Sequence, residues 1–445
     1  MHMHVAGLSI LDPSTRPDGR LRFEDVEAVI ASRIHLAPRF RQKVVTVPGN
    51  LARPVWVDDD GFDLDFHLRR SALPEPGGRR ELAEAVQRVM SRPLDRSKPL
   101  WEMYVFEGLE DGLAAVLLKV HHALVDGISA MHIAAAIFDL TPEPPALDPP
   151  ELWTPEPAPS AGDLLRDALE EQILHPAAAL LGAAQTAMEA PSIAATRFGA
   201  SLSGVRDILG MGRRPQGPFD VRIGPNRRFA MADAPVQRFK DVKRALGGTV
   251  NDVVLAVVAG GMHKLLKARR EPTRGRSLRA LVPVSVRGKD EQAVTGNRVA
   301  PAFVDIPVGA MGPATRLARI RASTSGLKES MMALGAESII NLGAYAPPAL
   351  HSMAARLVSR GRWFNLVVSN VPAPQAPLYL AGAKLLANYP GMPLGENAAL
   401  SVAVTSLSGT MAFGLTGDWD ALPDIDYLAS AIEESLDELS KAAGV

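Results

Sequence analysis

Two adjacent histidines followed by an aspartate are the residues in this sequence best suited to chemistry. The segment His121-His122-Ala123-Leu124-Val125-Asp126-Gly127 places a carboxylate shortly after a pair of imidazoles. An imidazole with an ordinary pKa of about 6.5 can accept a proton at neutral pH, and a nearby carboxylate can orient its ring. The segment therefore indicates a general base with an orienting group. The alternative is that these histidines are structural residues at the end of a strand.

Other catalytic chemistries find less support in the residues. Adjacent side chains on a strand point to opposite faces, so two neighbouring histidines rarely bind one metal ion, and no metal site is expected. The chain has no cysteine, which excludes disulfides and a cysteine nucleophile. It also has no Gly-x-Ser-x-Gly segment, so a covalent acyl-serine intermediate has no support.

The elements on both sides of the histidines would hold them rigidly. The apolar run Leu113–Val120 predicts a buried strand, and Ile128–Leu140 has the spacing of an amphipathic helix. Side chains at such a junction project into a cleft from a rigid support. Farther along, a helix is predicted over Val250–Lys267 and a strand over Leu366–Val368. Asn251 lies at the start of that helix, and Ser369 and Asn370 are expected just after that strand.

Several ordered motifs together resemble the bacterial wax ester synthase/diacylglycerol acyltransferase family, a branch of the CoA-dependent acyltransferases with a His-His-x-x-x-Asp-Gly signature. The resemblance extends over nearly the whole chain, from Met3–Gly7 to about Asp418. Its motifs are Ser91-Arg92-Pro93-Leu94-Asp95, Pro99-Leu100-Trp101, Asn251-Asp252, Pro283-Val284-Ser285-Val286-Arg287 and Ser369-Asn370-Val371-Pro372. Family members usually carry a further segment ahead of the stretch that matches Met3–Gly7. The histidine motif alone would indicate only the superfamily, which includes peptide-synthetase condensation domains.

The resemblance implies an α/β fold of two chloramphenicol-acetyltransferase-like, mixed-sheet domains that face each other across a central channel. It implies that His122 is the general base for direct acyl transfer from acyl-CoA to a lipid hydroxyl, which is diacylglycerol or a fatty alcohol. His121 would be mainly structural. Asp126 would hold the loop and pair with Arg287, and Gly127 would leave space for the substrate chain.

The resemblance also supplies candidates in the second half of the chain. Asn251 would stabilise the oxyanion or position the substrate. A simpler alternative is that Thr249 or Asn251 only caps the helix. Asp252 is expected to be structural, and Ser369 and Asn370 would line the channel. Pro99-Leu100-Trp101 is expected to pack in the core. Candidates for contacts with CoA phosphates are Arg287, Arg298 and the Arg269-Arg270 pair, although most arginine clusters are solvated surface residues. No cofactor is expected, because acyl-CoA is a substrate.

Length and composition set the wider frame. A chain of 445 residues exceeds what one core usually supports, so two domains are expected. We predict an N-terminal domain over 1–140, a proline-rich connector and helical linker over 141–215, and a C-terminal domain over 216–445. The formal net charge of −1 argues against a nucleic-acid partner. No signal peptide or spanning helix is expected, so the predicted location is the cytoplasm, with at most peripheral contact to a membrane or lipid droplet.

Two other functions remain open at this level. One is a condensation-domain-like enzyme that forms amides or esters, although the chain contains no carrier module. The other is a catalytically weak homologue that binds acyl lipids without transferring them, against which the intact His122 and Asp126 argue.

Overall fold

Two six-stranded mixed sheets form the framework of the chain. The structure is a computed structural model that describes residues 3–124, 133, 136–144, 153–170, 217–285, 299–325 and 363–445. The strands are β1 His4–Asp12, β2 Gln42–Val45, β3 Val55–Asp58, β4 Leu68–Ala72, β5 Trp101–Glu107, β6 Ala114–His121, β7 Arg227–Pro235, β8 Ser277–Ser285, β9 Val299–Pro307, β10 Leu366–Pro372, β11 Tyr379–Leu380, β12 Ala383–Gly391, β13 Leu400–Leu407 and β14 Thr410–Asp418. The longer helices are α1 Phe23–Arg33, α2 Arg79–Ser91, α3 Val236–Leu246, α4 Val250–Ala268, α5 Pro313–Thr324 and α6 Ile425–Ala443.

The N-terminal sheet has the order β11-β12-β1-β6-β5-β4 and is covered on both faces. On β6, Val116 and Val120 belong to the core shared with α1. Ala115 and Leu117 point to the opposite face and belong to the core shared with α2. Because both faces are buried, β6 is almost continuously apolar instead of alternating. This explains why the run before the histidines was recognisable from sequence.

The C-terminal sheet has the order β7-β14-β13-β10-β8-β9, with β10 parallel to both β13 and β8. Its helical face forms a large core around α4, which is buried along most of its length. The other face of this sheet approaches the N-terminal sheet. There Thr405 on β13 donates its hydroxyl to the carbonyl of Asn388 on β12, at 2.6 Å.

The two halves of the chain are interleaved at this contact. Strand β12 comes late in the sequence, yet it pairs antiparallel with β1 and so belongs to the N-terminal sheet. Helix α2 packs between that sheet and β7 of the other. Gln87 on α2 donates to the carbonyl of Phe229 at 3.1 Å, and the Ser91 hydroxyl accepts the Arg227 amide at 2.9 Å. The two sheets are therefore joined by an exchanged strand and by a shared helix.

The predicted α/β architecture with two mixed-sheet domains is confirmed. The predicted helix over Val250–Lys267 corresponds to α4. The domain limits stay a prediction, to which the structure adds that 379–391 joins the N-terminal sheet. Most of the predicted helix over Ile128–Leu140 lies outside the described residues.

One placement was wrong. Ser369 and Asn370 were expected after their strand, but β10 continues through both of them to Pro372. The strand does not end at Val368, because backbone pairing with β13 extends as far as Pro372 and Ser406.

In the parts of the chain that the structure describes, no single helix is long and apolar enough to cross a membrane. Helices α3 and α4 meet that criterion only as a pair, and the pair is bent by 101°.

Candidate active site

The histidine pair lies where β6 ends, and backbone hydrogen bonds hold it from two directions. The His121 amide donates to the carbonyl of Leu100 at 2.9 Å, and the His122 amide donates to the carbonyl of Met3 at 2.7 Å. Residues His122–Leu124 then form a short 3-10 turn. Leu124 anchors this turn because its side chain is buried in the core beneath α1. The turn therefore has a fixed position on the N-terminal sheet.

The two imidazoles occupy different environments. The His121 ring is half-buried, its Nδ1 accepts the Ala123 amide at 3.2 Å, and it meets the His4 ring edge-to-face at 6.2 Å. Burial lowers the pKa of His121, and the nearby Arg96 adds to this effect. A neutral ring that accepts a backbone amide supports the structural role predicted for His121.

The His122 side chain, in contrast, is exposed. An exposed imidazole on a rigid turn is available to a substrate, as a general base requires. Its expected supporting residues Asp126 and Gly127 lie outside the described residues, and so does Arg287. Their roles stay predictions.

The N-terminus of α4 is capped by Thr249 and Asp252, and Asn251 takes no part in the capping. Thr249 is the N-cap, and its hydroxyl accepts the Asp252 amide at 3.1 Å. The Asp252 carboxylate accepts the Thr249 amide at 2.7 Å and the Thr324 hydroxyl at 2.6 Å. These two residues form a reciprocal capping box. Asn251 is therefore not needed as a cap, and Asp252 has the structural contacts that were predicted for it.

Asn251 instead lines a cleft of about 680 Å³ between α4, α5 and the β8–β9 pair. About half of the residues that line this cleft are apolar: Val282, Val284, Ala302, Val304, Ala318 and Ala322. The polar lining residues include Asp252, Arg321 and Thr324. A cleft of this size that combines apolar and polar side chains can hold a small molecule. The valines come from β8 and β9, and the pairing of these two strands brings them into one cleft with Asn251.

Ser369 and Asn370 lie on opposite faces of β10. Val368 belongs to the core beneath the C-terminal sheet, so alternation along the strand puts Asn370 on that helical face. Val367 pairs with Leu281 on the parallel strand β8, and both strands continue in the direction of Asn370 and Val284. Asn370 therefore lies near the carboxyl end of β10. It is on the same face of the C-terminal sheet as the cleft that Asn251 lines. Ser369 is buried on the face directed towards the N-terminal sheet.

Two other predictions concern residues around the site. Trp101 is fully buried, stacks between Phe40 and His67, and donates its indole N–H to the Phe40 carbonyl at 2.8 Å. This confirms that the Pro-Leu-Trp segment packs in the core. Arg269 pairs with Asp424 through two guanidinium nitrogens, which makes it a structural residue. Among the described residues, no cluster of three or more potential metal ligands occurs.

Sequence reasoning missed one buried charge close to the histidines. Lys119 lies on β6, two residues before His121, and is fully buried. The signal was available, since Lys119 is the only charged residue in the apolar run Leu113–Val120. Its contacts could not be found without the fold.

Comparisons with known proteins identify the family of this chain. The family described as the wax ester synthase/diacylglycerol acyltransferase catalytic domain matches residues 1–254, and the WS/DGAT C-terminal domain matches residues 295–440. A Mycobacterium tuberculosis protein named a probable diacylglycerol O-acyltransferase is 35% identical, over 100% of this chain and 96% of the relative.

Solved structures extend the comparison to the fold. The wax ester synthase/diacylglycerol acyltransferase from Marinobacter aquaeolei VT8 is similar with a TM-score of 0.69 and 29% identity, over 100% of this chain and 96% of that one. The first condensation domain of the calcium-dependent antibiotic synthetase has a TM-score of 0.57 at 16% identity, over 99% and 91% of the two chains, and so shares the fold alone. The present chain is therefore an acyltransferase of the wax ester synthase/diacylglycerol acyltransferase family.

Proposed function

We propose that this acyltransferase moves a long-chain acyl group from acyl-CoA to a lipid hydroxyl, with His122 as the general base. The acceptor is diacylglycerol, which gives triacylglycerol, or a fatty alcohol, which gives a wax ester. The observation that carries the proposal is the exposed His122 imidazole on a backbone-anchored turn, in a chain of this family. The reaction needs no cofactor beyond the acyl-CoA substrate.

In this mechanism both substrates are bound together. The acceptor hydroxyl gives its proton to the His122 imidazole while its oxygen attacks the thioester carbonyl carbon. The tetrahedral intermediate collapses by breaking the carbon–sulfur bond, and the imidazolium returns the proton to the CoA thiolate. A positioned base of this kind contributes about 10²–10⁴-fold to the rate.

Asn251 is proposed to stabilise the oxyanion of the tetrahedral intermediate or to position the substrate. Its side chain lines the cleft at the first turn of α4, where an amide donor and the free helix amides favour a developing oxyanion. The valine and alanine wall of the same cleft offers apolar surface to an alkyl chain, and each methylene buried there contributes about 0.8 kcal/mol. Because the acceptors are lipids, we expect the enzyme to work in the cytoplasm with peripheral contact to a membrane or lipid droplet.

The test is release of free CoA from palmitoyl-CoA by the purified protein, with diolein and hexadecanol as parallel acceptors. We expect acceptor-dependent CoA release that His122→Ala lowers by about 10²–10⁴-fold. His263→Ala is a matched control, because the His263 ring binds the Val308 carbonyl within the C-terminal domain. Full activity of His122→Ala would exclude His122 as the base. Binding of palmitoyl-CoA without CoA release would favour a lipid-binding homologue, and release that depends on an amine would favour a condensation-type enzyme.

A further inference from the structure

Lys119 is a fully buried lysine in the strand that ends in the histidine pair. Burying an ammonium group is costly unless hydrogen bonds and an opposite charge compensate it. Alternation along β6 places Lys119 on the same face as Leu117 and Ala115, the face covered by α2. His121 is the next residue on that face.

The Lys119 ammonium binds the C-terminal end of α2. Its Nζ donates to the carbonyl of Val89 at 2.9 Å and to the carbonyl of Arg92 at 2.6 Å. These carbonyls lie at the negative end of the helix, where a cation is favourable. Glu102, the cross-strand neighbour of Lys119 on β5, has its carboxylate 3.8 Å from Nζ. The helix end and the strand are therefore joined by one buried cation.

The same end of α2 is also attached to the C-terminal sheet. Ser91, the last residue of α2, accepts the Arg227 amide of β7 through its hydroxyl at 2.9 Å. Four residues earlier, Gln87 donates to the Phe229 carbonyl at 3.1 Å. A continuous set of buried contacts therefore leads from the histidine strand through Lys119 and α2 to the sheet whose helices carry Asn251.

We propose that Lys119 is a positioning residue for acyl transfer, which sets the distance between the His122 turn and the C-terminal domain by holding the end of α2 against β6. The proposal rests on the function proposed above, in which His122 is the base and the C-terminal domain supplies groups to the same reaction. Lys119 acts through this packing and does not touch substrate.

The charge state of Lys119 gives the proposal a specific signature. Burial lowers the pKa of Lys119 to about 8, with Arg92 and Arg69 acting in the same direction and Glu102 in the opposite one. The face also carries His121, whose pKa is lowered by burial and by the nearby Arg96. Tyr104 on the same face donates to Glu102, and burial raises its pKa to about 12. Above pH 8 the neutral amine loses its attraction to Glu102 and binds the carbonyls less strongly. We therefore expect kcat to fall as the pH rises through about 8.

The test compares Lys119→Met with the unmodified enzyme in the CoA-release assay between pH 6.5 and 9.5. We expect kcat to fall about 10- to 100-fold, as small displacements of reacting groups do, while KM for palmitoyl-CoA stays within about twofold and the alkaline decline disappears. Lys264→Met is the matched control, because Lys264 forms two ion pairs between α4 and α6, with Glu434 and Glu438. Its kcat and pH profile should be unchanged.

A second variant separates positioning from stability. Lys119→Met alone leaves the Glu102 carboxylate buried without its cation, which lowers the melting temperature. The double variant Lys119→Met/Glu102→Met removes both charges and should recover most of that temperature while kcat stays low.

Recovery of kcat together with stability in the double variant would overturn the proposal, as would an unchanged kcat in folded Lys119→Met. Full activity in His122→Ala would reject the proposed base and, with it, the role of Lys119 in positioning that base. Loss of activity in His122→Ala alongside an unchanged kcat in Lys119→Met would reject the positioning role and leave the proposed base in place.

Discussion

Neighbouring residues of one motif have different environments because the backbone changes direction between them. His121 is the last residue of β6, so its ring points into the sheet face and accepts a backbone amide. His122 begins a 3-10 turn, which directs its side chain into solvent. At the start of α4, Thr249 and Asp252 satisfy the helix end, whereas Asn251 lines the same cleft without taking part in the capping box.

A pair of substitutions at α4 tests this division. Thr249→Ala removes the capping hydroxyl and should lower the free energy of unfolding by about 1 kcal/mol with little change in kcat. Asn251→Ala should lower kcat by about 10²–10³-fold, as loss of one oxyanion donor does, with little change in stability. Urea unfolding and CoA release measure the two effects. Equal effects of the two substitutions on kcat would contradict a specific role for Asn251.

Strand β12 of the N-terminal sheet packs directly against β14 of the C-terminal sheet. Gly414 on β14 leaves space for the carbonyl of Pro390 on β12, since a Cβ at this glycine would lie 1.9 Å from that oxygen. The hydroxyl of Thr405 and the phenol of Tyr389 add hydrogen bonds across the same junction. Strand β12 therefore contacts both sheets, and its position depends on the absence of a side chain at Gly414.

Gly414→Ala should consequently destabilise the whole chain. The backbone of Pro390 must shift to admit a methyl group, and we expect a loss of about 1–3 kcal/mol or more in the free energy of unfolding, measured in urea. Gly61→Ala is the control, because the nearest atom to its added Cβ is the flexible Lys98 Nζ at 3.9 Å. Equal stability of these two variants would mean that the junction is looser than the contact distances indicate.

For the whole molecule, the exchanged strand links the folding of one half to the other. Strand β1 is paired on one side by β6 and on the other by β12. Without the second half of the chain, β1 would expose a row of unpaired backbone groups and an uncovered edge. Helix α2 would also lose the surface of β7, which contributes Phe229 and Met231 to its core.

Residues 1–216 expressed alone should therefore aggregate or self-associate. Co-expression with residues 217–445 should give a soluble complex, in which β12 protects the amides of β1. Size-exclusion chromatography and hydrogen exchange at β1 measure this outcome, with the intact chain as reference. A monomeric fragment 1–216 with native protection at β1 would show instead that the N-terminal half folds independently.

The family, the α/β class and the location of the histidine motif at the end of a strand can all be predicted from the sequence, because they depend on local patterns. A strand buried on both faces is continuously apolar, as in Leu113–Val120, and the helices have the expected spacing and caps. Ordered motifs such as Asn251-Asp252 and Ser369-Asn370 do not need a fold to be recognised. These motifs identify most of the candidate residues from the sequence.

The contacts among these residues, and the side chains that fix their positions, follow only from the tertiary structure. Strand pairing put Asn370 and Ser369 on opposite faces, although they are adjacent in the chain. It moved β12 into the N-terminal sheet, a contact between residues far apart in sequence that no local pattern encodes. It also gave Lys119 its partners, since a buried lysine is stable only where distant carbonyls and a carboxylate converge on its ammonium group.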